Sequence, residues 1–162
     1  MRVLGIDPGT LAVGFGIVEN GENRPDEAKF VEYGCIRVSS KQPFALRLKK
    51  IYDEITKIVD HFQPDEFAIE SLFYAKNAQV AIKMGHARGV ALVAAANHEI
   101  PTSEYSPREI KLSIVGNGSA SKEQVQRMIQ QLLRLPDLPA PLDASDALAV
   151  ALCHAFRTGG KR

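Results

Sequence analysis

Four acids stand where acids are costly. Asp7 ends the apolar run Val3-Leu4-Gly5-Ile6, and Glu70 ends a second, Phe67-Ala68-Ile69. Asp143 and Asp146 open a last stretch that continues Ala147-Leu148-Ala149-Val150-Ala151-Leu152. A carboxylate beside a core element loses hydration, and the cost stands unless something neutralises it. Four such groups at the mouths of apolar elements point to a shared cation. All-oxygen donors suit a hard ion, Mg²⁺ or Mn²⁺, rather than zinc. Two such ions held about 3.5–4 Å apart activate water and stabilise the leaving oxygen of an in-line phosphodiester displacement.

Each acid also has an ordinary explanation. Asp7 precedes Pro8-Gly9-Thr10, and a turn aspartate can bond its own backbone. Asp143 suits the N-cap of its helix, and Asp146 suits the first-turn dipole. Glu70, between Ala68-Ile69 and Ser71-Leu72-Phe73, answers to neither turn nor cap chemistry. Together the four outweigh their separate explanations.

One site requires elements that bring these acids together. Val3–Ile6 reads as a strand closed by the Asp7-Pro8-Gly9-Thr10 turn. Ala12–Val18 reads as a second, in which Gly14 and Gly16 alternate with Val13, Phe15 and Ile17. Asn20-Gly21 turns the chain, 22–29 reads as a polar loop, and Val31–Val38 as a third strand. Short turns make these an antiparallel meander. Phe44, Leu48, Ile51, Ile55, Ile58, Val59 and Phe62 share one helical face that Pro64 closes. Glu66–Ile69 is then a fourth strand, and a helical crossover sets it parallel to the first. That pairing brings Asp7 and Glu70 out at the same sheet edge, where open α/β sheets hold their sites. Ala75–His98 reads as a long helix, with Gly85 and Gly89 at a spacing that suits internal helix packing. Ile100–Tyr105 is a fifth strand, and Pro107 starts a short helix. Ser121-Lys122-Glu123-Gln124 forms a capping box ahead of Val125, Met128, Ile129, Leu132 and Leu133. Pro136, Pro139 and Pro141 stiffen the connector to the last helix, where Asp143 and Asp146 lie three apart on nearly one side. The order β-β-β-α-β-α-β-α-α predicts an α/β fold with a mixed five-stranded sheet and helices on both faces.

The bulk numbers narrow the class. A chain of 162 residues is expected to be one domain, 1–162, ending in a frayed basic tail, Gly159-Gly160-Lys161-Arg162. With 45% hydrophobic and 24% charged residues it is ordinary for a soluble globular protein. A net charge of +1 means that any nucleic-acid surface must come from segregated, not surplus, basic residues. Cys35 and Cys153 form no C-x-x-C pair and read as small buried hydrophobes. His61, His86, His98 and His154 are scattered without metal spacing and read as structural or surface groups. Lys83, His86 and Arg88 interrupt the longest apolar stretch, and no leader pattern is visible, so a cytoplasmic location is expected.

Several of these segments carry a resemblance. Gly5-Ile6-Asp7-Pro8-Gly9-Thr10, Ile69-Glu70-Ser71-Leu72-Phe73-Tyr74-Ala75-Lys76-Asn77 and Asp143-Ala144-Ser145-Asp146-Ala147-Leu148-Ala149 resemble the RuvC family of Holliday-junction resolvases. Tyr105-Ser106-Pro107-Arg108-Glu109-Ile110-Lys111 and Val115-Gly116-Asn117-Gly118-Ser119-Ala120-Ser121-Lys122 are similar to it too. The resemblance implies an RNase H-like fold and a homodimeric, Mg²⁺-dependent endonuclease of recombination and repair, with Mn²⁺ as a substitute and two ions per site. Asp7, Glu70, Asp143 and Asp146 would be the metal ligands and catalytic acids, though some members carry His at position 143. Lys111 and Lys122 would act on DNA phosphates, Phe73 would stack on an unpaired base, and a branch-migration motor would be a partner. Without the resemblance, Lys111 and Lys122 read as surface lysines and Phe73 as core. Nicking would leave a 5′-phosphate and a 3′-hydroxyl. The turn around Asp7 also resembles the phosphate-binding turn of actin-like ATPases and sugar kinases, which need two such domains. The same fold and acids would also serve a non-catalytic junction scaffold or a ribonuclease acting on RNA–DNA hybrids.

Overall fold

The computed structural model describes residues 1–21, 24–71 and 77–159. Five strands run β1 Arg2–Asp7, β2 Ala12–Gly21, β3 Arg24–Arg37, β4 Glu66–Glu70 and β5 Thr102–Tyr105. Helices are α1 Phe44–Phe62, α2 Ala78–Asn97, α3 Pro107–Val115, α4 Lys122–Leu132 and α5 Leu142–Gly159. The sheet order is β3-β2-β1-β4-β5. β1–β2 and β2–β3 are antiparallel, whereas β1–β4 and β4–β5 are parallel. This is the mixed five-stranded sheet that the sequence predicts.

Two apolar layers sandwich it. On one face Ile51, Ile55 and Val59 of α1 and Ala87, Ala91, Ala94 and Ala95 of α2 pack with Leu4, Ile6, Phe67 and Ile69. On the other, α3 and α4 flank α5, whose Leu148, Ala151 and Leu152 join Val3, Val18 and Ala68 in a second cluster. α5 is buried along most of its length and rests directly on the sheet. Glycines permit that contact. A Cβ on Gly5 would lie 2.5 Å from Ala151 N, and one on Gly16 would lie 2.7 Å from Leu148 N. One on Gly14 would strike the carbonyl oxygen of Asp143. Any larger residue at these positions lifts the helix.

Several boundaries differ from the sequence-based expectation. Residues 24–29 belong to β3 rather than to a loop, with Lys29 opposite Glu19 and Ala28 opposite Asn20. β3 is an edge strand, and edge strands carry the polar, charged composition that also marks loops. The long helix starts at Ala78, because Asn77 is extended and its side chain accepts bonds from Gln79 N and Val80 N. Residues 75 and 76 lie outside the described residues. β5 begins at Thr102, since Ile100 instead caps α2 through a bond from its N–H to Ala95 O. Three helices follow β5, one at each stretch read as helical though one more than the predicted order holds, and Gly159 closes α5 rather than opening a tail. A Cβ on Gly89 would meet open space, so its missing side chain serves no contact among the described residues.

The close α5–sheet contact yields a direct expectation. Gly5→Ala should cost about 2–3 kcal/mol in denaturant unfolding, because the clash is with backbone that cannot rotate away. A control with room for a Cβ, Gly89→Ala, should be neutral or stabilising, as an open helical position favours Ala.

Candidate active site

β1 is the central strand, and its register with β4 pairs Ile6 with Ile69. The next residues, Asp7 and Glu70, therefore emerge side by side at the carboxyl ends of two parallel strands. Tyr105 of β5 sits beside Glu70, and Gly14 of β2 sits beside Asp7. Gly14 in turn receives the first turn of α5 at Asp143. Asp143 is the second residue of that helix, and residues 144 and 145 donate to Pro141 O at 3.1 Å each. The capping explanation for Asp143 thus fails, since the cap lies at Pro141. Asp146 follows almost one turn later on the same side.

All four acids line one open cavity of about 440 Å³. Lys111 of α3, Lys122 of α4 and Met84 of α2 complete its walls. Capping boxes set both lysine-bearing helices. Ser106 and Glu109 exchange bonds at the start of α3, and Ser121 and Gln124 do so at the start of α4. The backbone and hydroxyl bonds from Ser106 hold the Glu109 carboxyl below its usual range. Lys122 is the first residue of α4, and its Nζ donates to Asp146 Oδ2 at 2.8 Å. Phe73 and Tyr74 lie outside the described residues.

The electrostatics follow from crowding. Asp7 is pushed up to about 8, first by burial and then by the charges of Glu70 and Asp146. Its carboxyl also lies against that of Glu70, and this contact raises it further. Glu70 is raised too, mainly by burial, although that contact and the charges of Lys122 and Lys111 oppose the rise. Lys122 is raised chiefly by its bond to Asp146. The Asp7 carboxyl thus turns to Glu70 rather than to its own turn, and the turn explanation for it fails as well.

Among the described residues, no three His, Cys, Asp or Glu side chains form a ready-made cage around one metal position. The donors nevertheless fit a hard divalent cation. They are four carboxylates with no imidazole or thiol in the lining, and the most buried holds a proton that a cation would displace.

With this geometry established, comparison with known proteins is decisive. The sequence matches the family described as crossover junction endodeoxyribonuclease RuvC over residues 3–154. The chain belongs to the RuvC family. A relative from Desulforamulus reducens is 48% identical over 155 residues, covering 96% of this chain and 93% of its own. One from Geobacter sulfurreducens is 50% identical over 155 residues, covering 96% and 92%. The Thermus thermophilus RuvC structure in complex with Holliday junction substrate superposes with a TM-score of 0.91 at 34% identity, covering 98% of this chain and 95% of that one. An RNase H-like fold is shared with these RuvC structures.

Sequence reasoning missed parts of this RuvC site. Met84 forms a wall that no motif announces. The docking role of Gly5, Gly14 and Gly16 was hidden too, although glycines inside a strand do signal a close backbone approach. His154 is structural, as expected, but its partners were unforeseen. It is buried, with Nε2 2.7 Å from Glu66 Oε2 and Nδ1 2.8 Å from the Tyr105 hydroxyl. Cys153 is buried as predicted, which pushes its thiol to about 11, while Cys35 is only half-buried.

The raised Asp7 carboxyl fixes a pH signature. Unfolded aspartate ionises near 4, whereas folded Asp7 keeps its proton until about 8. Its contribution to stability is therefore complete below about pH 4 and is lost as pH rises toward 8. In EDTA, Asp7→Asn should flatten that decline and raise Tm at pH 8 by roughly 2–8 °C, about 1–2 kcal/mol. Equal pH profiles for the two proteins would mean that Asp7 ionises normally.

Proposed function

We propose that this chain resolves four-way (Holliday) DNA junctions by paired symmetric nicks, working as one nuclease unit over residues 1–162. The observation that carries the reading is the convergence of Asp7, Glu70, Asp143 and Asp146 in one open cavity walled by Lys111 and Lys122. Membership of the RuvC family and the likeness to the Thermus thermophilus junction complex support the same substrate.

In this reading the four carboxylates hold two Mg²⁺ ions, with Mn²⁺ as a substitute. When bound, the ions supply charge neutralisation and Lewis acidity at the scissile phosphate. The chain's own residues do the rest. The proton of Asp7 would be displaced by bound cations, and all four acids would serve as their ligands. Lys122 and Lys111 are compact point charges that hold the strand by phosphate and offset charge developing in the transition state. Phe73, four residues after Ile69, is assigned to stacking on an unpaired base at the junction. In-line hydrolysis leaves a 5′-phosphate and a 3′-hydroxyl.

The partners follow from the task. Cutting two strands of like polarity symmetrically requires two identical sites, which a C₂ homodimer provides. A branch-migration motor is the partner that would present a mobile junction. No helix among the described residues is long and apolar enough to cross a membrane.

The test compares a mobile four-way junction, a plain duplex and an RNA–DNA hybrid, each with Mg²⁺, Mn²⁺ or EDTA. Symmetric nicks in the junction alone, abolished by EDTA, are expected; cutting of the hybrid would assign a ribonuclease instead. Asp7→Asn should abolish nicking while junction affinity stays within about threefold, since one carboxylate contributes little to backbone binding. Lys122→Ala should slow nicking by about 10²-fold, as loss of a transition-state charge contact does. Wild-type rates in that variant would return Lys122 to the surface.

A further inference from the structure

A second trough lies away from the carboxylates. β3 and α4 both pack on α5 but make no extended contact with each other. The gap between them is a cavity of about 480 Å³. Leu152 and Phe156 of α5, Phe30 of β3 and Leu132 of α4 line it, with Arg134 beside them and Lys29 on the bordering strand. Phe30 and Leu132 remain 36% and 38% exposed, so this apolar lining is open to solvent. From Asp146 to Phe156 is ten residues of helix, about 15 Å along the axis at 1.5 Å per residue. The trough is thus separate from the nuclease site.

Three features define what fits it. β3 is an edge strand, hydrogen-bonded to β2 on one side only, so its other row of backbone N–H and C=O groups is open to pairing. The trough beside it takes apolar side chains. The side chains of Lys29 and Arg134 have no ion-pair partner among the described residues, and Glu27, the acid of the lining, is already engaged. Arg134 is further held in the left-handed region, at φ 53°, where a glycine would be easier. That backbone fixes its side chain just past the end of α4.

We infer that the edge of β3 at Glu27–Phe30 and the adjoining trough form a docking site for an extended, acidic segment of a partner protein. The segment adds as a further strand, drops alternate apolar side chains between Phe30 and Leu132, and turns the carboxylates between them to the other face of the sheet, where Lys29 projects. DNA does not fit, because two cations beside an apolar lining make no phosphate track. A second copy of this chain is the competing occupant, although two-fold pairing centred on Lys29 would set that lysine against itself. The inference rests on residues distinct from those of the nuclease reading and stands or falls separately.

The test is fluorescence anisotropy with a labelled peptide of about eight residues alternating Phe or Leu with Asp or Glu, a length typical of a single strand. Two controls replace its acids by Lys, or N-methylate alternate amides so that it cannot pair. Saturable micromolar binding is expected, with both controls at least about tenfold weaker, equivalent to about 1.4 kcal/mol. Lys29→Glu and Leu132→Glu should each weaken binding about tenfold while nicking junctions at the wild-type rate, which shows that they fold. Hydrogen exchange at 28–31 should slow when the peptide is present. No saturation by roughly 1 mM peptide would overturn the proposal. So would equal binding of the controls, or groove variants that change the subunit count in ultracentrifugation, which would assign the surface to a second copy.

Discussion

The backbone of α5 lies against β1 and β2 at distances that no side chain would permit. Everything at the site follows from that contact. Asp7 is fixed by the central strand and Glu70 by its parallel neighbour, but Asp143 and Asp146 come from a different layer of the molecule. They reach the strand ends only because Gly5, Gly14 and Gly16 let the helix settle onto the sheet. Since Gly14 receives Asp143 itself, this packing is also the geometry of the site. Interiors are dense and resist sub-ångström shifts, so a helix seated this way holds its first turn firmly.

Seating four carboxylates together has an electrostatic consequence. Burial and mutual repulsion raise the Asp7 carboxyl far above the usual carboxylate range, while Asp146 turns to Lys122. These are local means of reducing negative charge, and a divalent cation would do so more completely. The cavity therefore joins two properties that hydrolysis of a phosphodiester needs, acids that take up a hard cation and lysines that face the phosphate. The fold tolerates the strain of charge because its stability is built elsewhere, in the apolar layers on either face of the sheet.

Much of this was legible in the residues. The crossover between β1 and β4 is read from one helix between two short apolar runs, and it makes neighbours of Asp7 and Glu70. The capping boxes of α3 and α4 are local signals, and the one at Ser121 appears where the residues place it. What failed were places where local chemistry is ambiguous. The first part of β3 is polar because it is an edge, and polarity alone reads as loop. Asp143 looks like a cap, since nothing in sequence shows that the helix starts two residues earlier, at Leu142 rather than Ala144. Lys111 and Lys122 were separable from ordinary surface lysines only through family resemblance, because their importance lies in facing a cavity assembled from distant segments.

The central claim is that packing of α5 on the glycines makes the four acids into one divalent-cation site. Crystals grown with Mn²⁺ and measured at a wavelength where manganese scatters anomalously test it most directly. The account predicts anomalous peaks bounded by Asp7, Glu70, Asp143 and Asp146, and their loss in Asp7→Asn crystals. Ordered manganese elsewhere, or α5 carboxylates turned away from an occupied Asp7–Glu70 pair, would contradict it.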